Sequence, residues 1–129
     1  NTDPLGISLT NVYAPHAGLT PQTKTDFYDS LAHLVRQQPP HQINLILGDF
    51  NARLMEILPG ERMILGQFIY RDPESAISNL SSGQLENRKM FIDLCLEETF
   101  LPAIFGSANR RLNWLHTVSP LHQLLMYQT

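Results

Sequence analysis

Ile43-Asn44-Leu45-Ile46-Leu47-Gly48-Asp49-Phe50-Asn51-Ala52 is an apolar, strand-like run that ends on a glycine and then offers two polar side chains two residues apart. Side chains alternate across extended backbone, so Asp49 and Asn51 would emerge on the same side. A carboxylate and a carboxamide converging at a strand end can hold a water and a phosphate oxygen together, which points towards hydrolysis of a phosphate ester. Glycine, aspartate and asparagine are also the commonest turn formers, and taken alone the stretch reads first as a turn after a strand. A second segment upstream lifts the functional reading.

From Leu5 to Tyr13, Leu5, Ile7 and Leu9 alternate with Ser8 and Thr10 at strand spacing, and Pro15 stops the run because it has no N–H for a ladder. Thr20-Pro21 reads as a helix start, Thr20 as cap and Pro21 at the first helical position. Phe27, Leu31, Leu34 and Val35 recur at helical spacing as one apolar stripe, and Pro39-Pro40 ends the helix. Ile43 to Leu47 is apolar on both faces apart from Asn44, as in a central strand covered on each side. Strand, helix and strand at this spacing form a βαβ unit, whose two strands lie parallel with their carboxyl ends side by side. That geometry predicts Tyr13 near Asp49, at the edge where open α/β sheets keep their ligands.

The chain has 129 residues, 43% of them hydrophobic, enough for one domain with a core and too short to expect two. Nine basic against twelve acidic residues give a net charge of -3, so no global positive field draws in nucleic acid, and any such contact is local. The single cysteine, Cys95, forms no internal disulfide and sits in an apolar helical pattern, which favours a structural role in a reducing, intracellular setting over a secreted one. No apolar run is long enough to cross a bilayer, so no membrane partner is expected. The start, Asn1-Thr2-Asp3-Pro4, lacks an initiator Met and a signal-peptide core and suggests a piece of something longer.

Between Leu58 and Asn87 no period is sustained, and the reading is a long surface excursion with one short strand near Ile64 to Tyr70. Asn87 is expected to cap a helix running to about Glu98, with Met90, Phe91, Leu94 and Cys95 on its apolar face. From Phe100 onward short strands and loops are expected. His33, His41, His116 and His122 fit no zinc spacing, and no residue is assigned as a metal ligand. Arg110-Arg111 beside Trp114 could hold a phosphate and stack a base, but two loop arginines are more often solvated and Trp114 more often core.

Asn11-Val12-Tyr13-Ala14-Pro15-His16 ahead of the helix and Gly48-Asp49-Phe50-Asn51-Ala52 after it give the chain a resemblance to the endonuclease/exonuclease/phosphatase superfamily. Asn87 to Cys95 and Trp114-Leu115-His116 are most similar to the branch carried by non-LTR retrotransposons, whose domain nicks target DNA. The resemblance implies a four-layer α/β/β/α sandwich, of which residues 1–129 would be the middle part. It implies that Asp49 orients or deprotonates the attacking water and that Asn51 and Tyr13 reach the scissile phosphate, while His16 falls where a polar substrate contact is common. It also implies magnesium, DNA as partner of the parent protein, and no small-molecule cofactor.

Within these 129 residues there is no counterpart of the family's amino-terminal strands, with their asparagine and metal-binding glutamate, or of its carboxyl-terminal Ser-Asp-His-like segment. Leu121 to Tyr127 resembles the family's penultimate strand, with Met126 in place of the aspartate expected before the tyrosine. These departures predict a partial domain, inactive by itself, with apolar sheet faces left uncovered. The rival expectation is a non-catalytic remnant or weak interaction module; a further one keeps the superfamily with RNA or a phospholipid as substrate.

Overall fold

The strand alternation of Ile7–Tyr13 and the capped helical stripe after it become β1 (Ile7–Tyr13) and α1 (Pro21–Arg36), and the apolar run that follows becomes β2 (Ile43–Asp49). These elements belong to a computed structural model that describes residues 6–39, 42–65, 76–99, 101–105 and 122–127. Beyond β2 come a short helix α2 (Arg62–Leu65), a 3-10 turn (Ile77–Asn79), helix α3 (Ser82–Glu97) and strands β3 (Leu101–Phe105) and β4 (His122–Tyr127). The four strands form one sheet in the order β1-β2-β4-β3, every neighbouring pair parallel. The fold is therefore mixed α/β, and β2 is a central strand as its apolar pattern predicts.

Thr20 caps α1, its hydroxyl accepting from the Thr23 amide at 3.2 Å, and Pro21 occupies the first turn where an N–H would be idle. The buried stripe of α1 is Lys24, Tyr28, Leu31, Ala32 and Val35, which includes Leu31 and Val35 of the expected stripe, with Phe27 partly buried against the same core. Leu34 is exposed, because the stripe is rotated towards Lys24, whose charge is met inside the protein. Helix α3 starts six residues earlier than expected, with Ser81 and not Asn87 as its cap. Ser81 and Gln84 form a reciprocal capping box, the Ser81 hydroxyl accepting from the Gln84 amide at 3.3 Å and the Gln84 side chain accepting from the Ser81 amide at 2.9 Å. Asn87 is thus an interior helical residue and not the cap. Ile64 and Leu65, expected in a strand, sit buried in α2 instead, their amides bonding back to the Glu61 carbonyl. The remainder of that expected strand, together with Arg110, Arg111, Trp114, His41 and His116, lies outside the described residues.

Helices and sheet share one core. Ile46 of β2, and Phe50 and Leu54 just beyond it, pack with Tyr28, Leu31 and Val35 of α1 and Phe91, Ile92, Leu94 and Cys95 of α3. Phe50 and Phe91 are both fully buried and meet edge to face at 5.1 Å. The opposite face of the β1–β2 pair is different. Ile7, Leu9 and Tyr13 are 65%, 64% and 75% exposed, and their register partners Ile43, Leu45 and Asp49 are only half-buried.

Candidate active site

The register of β1 on β2 ends with Tyr13 opposite Asp49, so the two strands finish together. Gly48 makes that finish possible: its φ is +144°, and a Cβ there would sit 1.9 Å from the Val12 carbonyl oxygen. Only glycine accepts both conditions. One residue on, the Ala14 amide donates to the Asp49 carbonyl at 2.8 Å, which extends the pairing past the end of β1.

After Gly48 the chain turns. The Asn51 amide donates to Asp49 Oδ1 at 2.8 Å, closing an Asx-type turn, and Asn51 takes the left-handed conformation that asparagine tolerates, at φ +49°. Asn51 Nδ2 then donates to the Ala14 carbonyl at 2.7 Å, tying the exit of β2 to the exit of β1. The turn reading and the site reading of Gly48 to Ala52 are thus one structure, because the turn holds the carboxylate and the carboxamide beside β1. Phe50 points the other way, into the core. Among the described residues Asp49 Oδ2 receives no hydrogen bond, and the second hydrogen of Asn51 Nδ2 has no recorded acceptor.

Of the four residues singled out from sequence, Tyr13, Asp49 and Asn51 come to one sheet edge. Tyr13 does so on the open face, with no hydrogen bond to its phenol from a described residue. His16 follows in the loop, exposed, with Nδ1 accepting from the Gly18 amide at 3.1 Å, so one of its ring nitrogens serves a local turn. Asp49 offers a single carboxylate here, and no three acidic, histidine or cysteine side chains among the described residues lie close enough together to hold a metal.

Three polar residues behind this edge were missed by pattern reading. Asn87, 1% exposed, donates from Nδ2 to the Pro15 carbonyl at 3.0 Å and to the Asn51 carbonyl at 3.1 Å, while its Oδ1 is buried without a partner. Lys24, equally buried, donates to the carbonyls of Ala17 and Gly83 and to Glu86 Oε2 at 3.1, 3.2 and 2.7 Å. Arg88 donates to the Leu54 and Glu56 carbonyls at 2.9 and 2.8 Å and grips both oxygens of Glu61. A signal for two of them was present: Asn87, Phe91 and Cys95 recur every fourth residue, and so do Arg88 and Ile92, which puts polar groups on the core-facing side of α3.

Burial pushes the Glu61 carboxyl up, but hydrogen bonds from Arg88 and the Leu58 amide, with the Arg88 charge, outweigh it and hold that group below the ordinary carboxylate value. Burial raises the Cys95 thiol well above its usual range and does the same to the Tyr28 phenol, whose neighbour Cys95 adds to the effect. A cleft of about 430 Å³ between the carboxyl halves of α1 and α3, lined by Tyr28, His33, Arg36, Met90 and Glu97 among others, includes none of the strand-exit residues. No described helix is long and apolar enough to cross a membrane. Compared with models of known families, with curated proteins and with solved structures, the chain matches none.

Proposed function

We propose that this chain carries part of a phosphodiesterase site of the endonuclease/exonuclease/phosphatase kind, acting on DNA, with Asp49, Asn51 and Tyr13 at the reacting phosphate. The observation that carries the reading is the meeting of two parallel strand exits, where Ala14 accepts from the Asn51 side chain and donates to the Asp49 carbonyl. Phosphoryl transfer asks mainly for positioning and charge stabilisation, and a rigid pair of strand exits supplies the first. Asp49, with one oxygen fixed by the Asn51 amide, has the other to orient and deprotonate a water. The remaining Nδ2 hydrogen of Asn51 and the Tyr13 hydroxyl are donors for non-bridging phosphate oxygens. His16 is the candidate substrate contact on the β1 side. Magnesium belongs to the reading by resemblance; when bound it would neutralise charge developing on the phosphate.

The four-layer sandwich is part of the same proposal. Ile7 and Leu9 stand exposed on the sheet face that a second sheet would cover, which supports it. DNA is proposed through the likeness to retrotransposon domains; RNA or a phospholipid would use the same chemistry. A non-catalytic role is supported by one specific observation, namely that the Asp49–Asn51 turn closes on itself and on Ala14 without needing any ligand.

Nicking of supercoiled DNA with magnesium, by the longest reading frame that contains this chain and by its Asp49→Ala form, tests the reading. A loss of about 10²–10⁴ in rate on substitution is expected. Equal rates in the two proteins remove Asp49 from the mechanism, and calorimetry showing no magnesium binding favours the non-catalytic role.

A further inference from the structure

We infer that Asn87 is a positioning residue for this site, acting through the backbones of Pro15 and Asn51. It rests on the phosphodiesterase reading above for its functional part and on geometry alone for its structural part. The two segments leaving β1 and β2 are joined directly by Asn51 and Ala14. Asn87 joins them a second time, from behind, and does so from a helix. Its Nδ2 carries two hydrogens, one spent on the carbonyl of Pro15, beside His16, and the other on the carbonyl of Asn51 itself.

This placement goes beyond what packing requires. At the neighbouring core positions of α3 the side chains are Phe91, Leu94 and Cys95, all buried and apolar. An aliphatic residue at 87 would fill the same space without burying an amide. The asparagine is kept there with its Oδ1 buried and unpartnered, an arrangement unfavourable by the general rule that buried polar atoms find partners. What it supplies in return is a fixed distance between two loop carbonyls, and with it a fixed orientation of the peptide that follows Asn51, a residue in the left-handed region. Asn51 is tethered at three points: its amide to Asp49, its Nδ2 to Ala14, its carbonyl to Asn87. Releasing the last of these frees the peptide that follows the phosphate-facing amide. Small misplacements of this kind reduce turnover more than binding.

The test compares Asn87→Leu, which keeps the volume and removes the donors, with Val35→Ala, a core truncation on α1 remote from the strand exits. In Asn87→Leu, hydrogen exchange at the amides of Asn51 and Ala14 rises by about 10- to 30-fold, as expected for losing two neutral hydrogen bonds, while exchange at Ile46 changes far less. In Val35→Ala any increase is spread over the whole core. In the nicking assay on the longest reading frame, kcat falls about tenfold or more for Asn87→Leu with KM little changed, and Val35→Ala retains kcat at a temperature where both are folded. If Asn87→Leu fails to fold, Asn87→Ser, small enough to admit water, is read in the same way. Uniform loosening, like that of Val35→Ala, overturns the inference and leaves Asn87 a packing residue. Local loosening without any difference between wild type and Asp49→Ala in nicking keeps the tether and overturns the phosphodiesterase reading instead. Local loosening with unchanged kcat in an active enzyme overturns the positioning role.

Discussion

Behind β2, towards the helices, the buried groups include a lysine, an arginine and an asparagine, each held by carbonyls or a carboxylate, whereas the other side of the same strand pair presents Ile7 and Leu9 about two-thirds exposed. Within an otherwise apolar core these three polar groups are inside, and these two aliphatic ones are outside, against what hydropathy alone would sort. The difference teaches that these three polar groups are held inside by their partners. Three of the buried polar residues bridge separate chain segments: Lys24 links α1, the β1 exit and α3; Asn87 links both strand exits; Arg88 links α3 to residues 54–61. The aliphatic residues on the open face have no such partners among the described residues, and burying each would be worth about 1.5–3 kcal/mol.

The strongest way to break this contrast is to remove a buried cation. Arg88→Met leaves the Glu61 carboxylate and the carbonyls of Leu54 and Glu56 without their donor and should cost about 3–5 kcal/mol, read as a fall in the urea midpoint. A change below 1 kcal/mol, on the scale of an exposed pair, would mean that the network is solvated. Lys24→Met should cost less, about 2 kcal/mol, because its partner Glu86 is partly exposed and rehydrates. An equal or larger loss than for Arg88→Met would show that the β1-exit loop, and not the 54–61 segment, is what α3 chiefly secures.

Titration sharpens the same contrast. Cys95 and Tyr28 hold their protons to higher pH folded than unfolded, so the unfolded chain binds fewer protons at alkaline pH. Stability is complete below the ordinary thiol range and declines as pH rises through about 8.5, by up to about 1.4 kcal/mol per unit per group. Cys95→Ala should remove the first part of that decline, as urea titrations at several pH values would reveal; an unchanged slope would mean the thiol is not shielded. Glu61 works in the opposite sense. Its depressed value contributes stability that is present above the ordinary carboxylate range and is lost as pH falls through it. On the open face the expected effect is smallest: Leu9→Thr should change stability by no more than about 0.5 kcal/mol while lowering binding of a hydrophobic dye. A loss above 2 kcal/mol would show that this face is already covered.

Much of this architecture was legible because it depends on local chemistry. Pro21 behind Thr20, the apolar run ending on Gly48, and the spacing of the two strands each carry a conformational rule, and together they predict the parallel pair and the meeting of Tyr13 with Asp49. What escaped was one local signal and several long-range contacts. Ser81 to Gly83 resembles loop punctuation until Gln84 is recognised as the other half of a capping box. The stripe of α1 keeps Leu31 and Val35 but extends to Lys24 in place of Leu34, because Lys24 is accepted inside only once Glu86, 62 residues away, neutralises it. Asn87 looked like a helix cap for the same reason, since its acceptors at Pro15 and Asn51 lie 72 and 36 residues away. Of the two readings of Asp49 and Asn51 the turn is seen directly, and it holds both side chains beside the β1 exit.

The most direct test of whether the two strand exits form one site is a double-mutant cycle between Asp49→Ala and Tyr13→Phe, with nicking of supercoiled DNA in magnesium as the readout. If the phenol and the carboxylate serve the same phosphate, each substitution lowers the rate and the pair together lowers it by clearly less than the product of the two effects. Effects that multiply independently, or a Tyr13→Phe protein as fast as the original, would contradict a shared site at residues 13, 49 and 51.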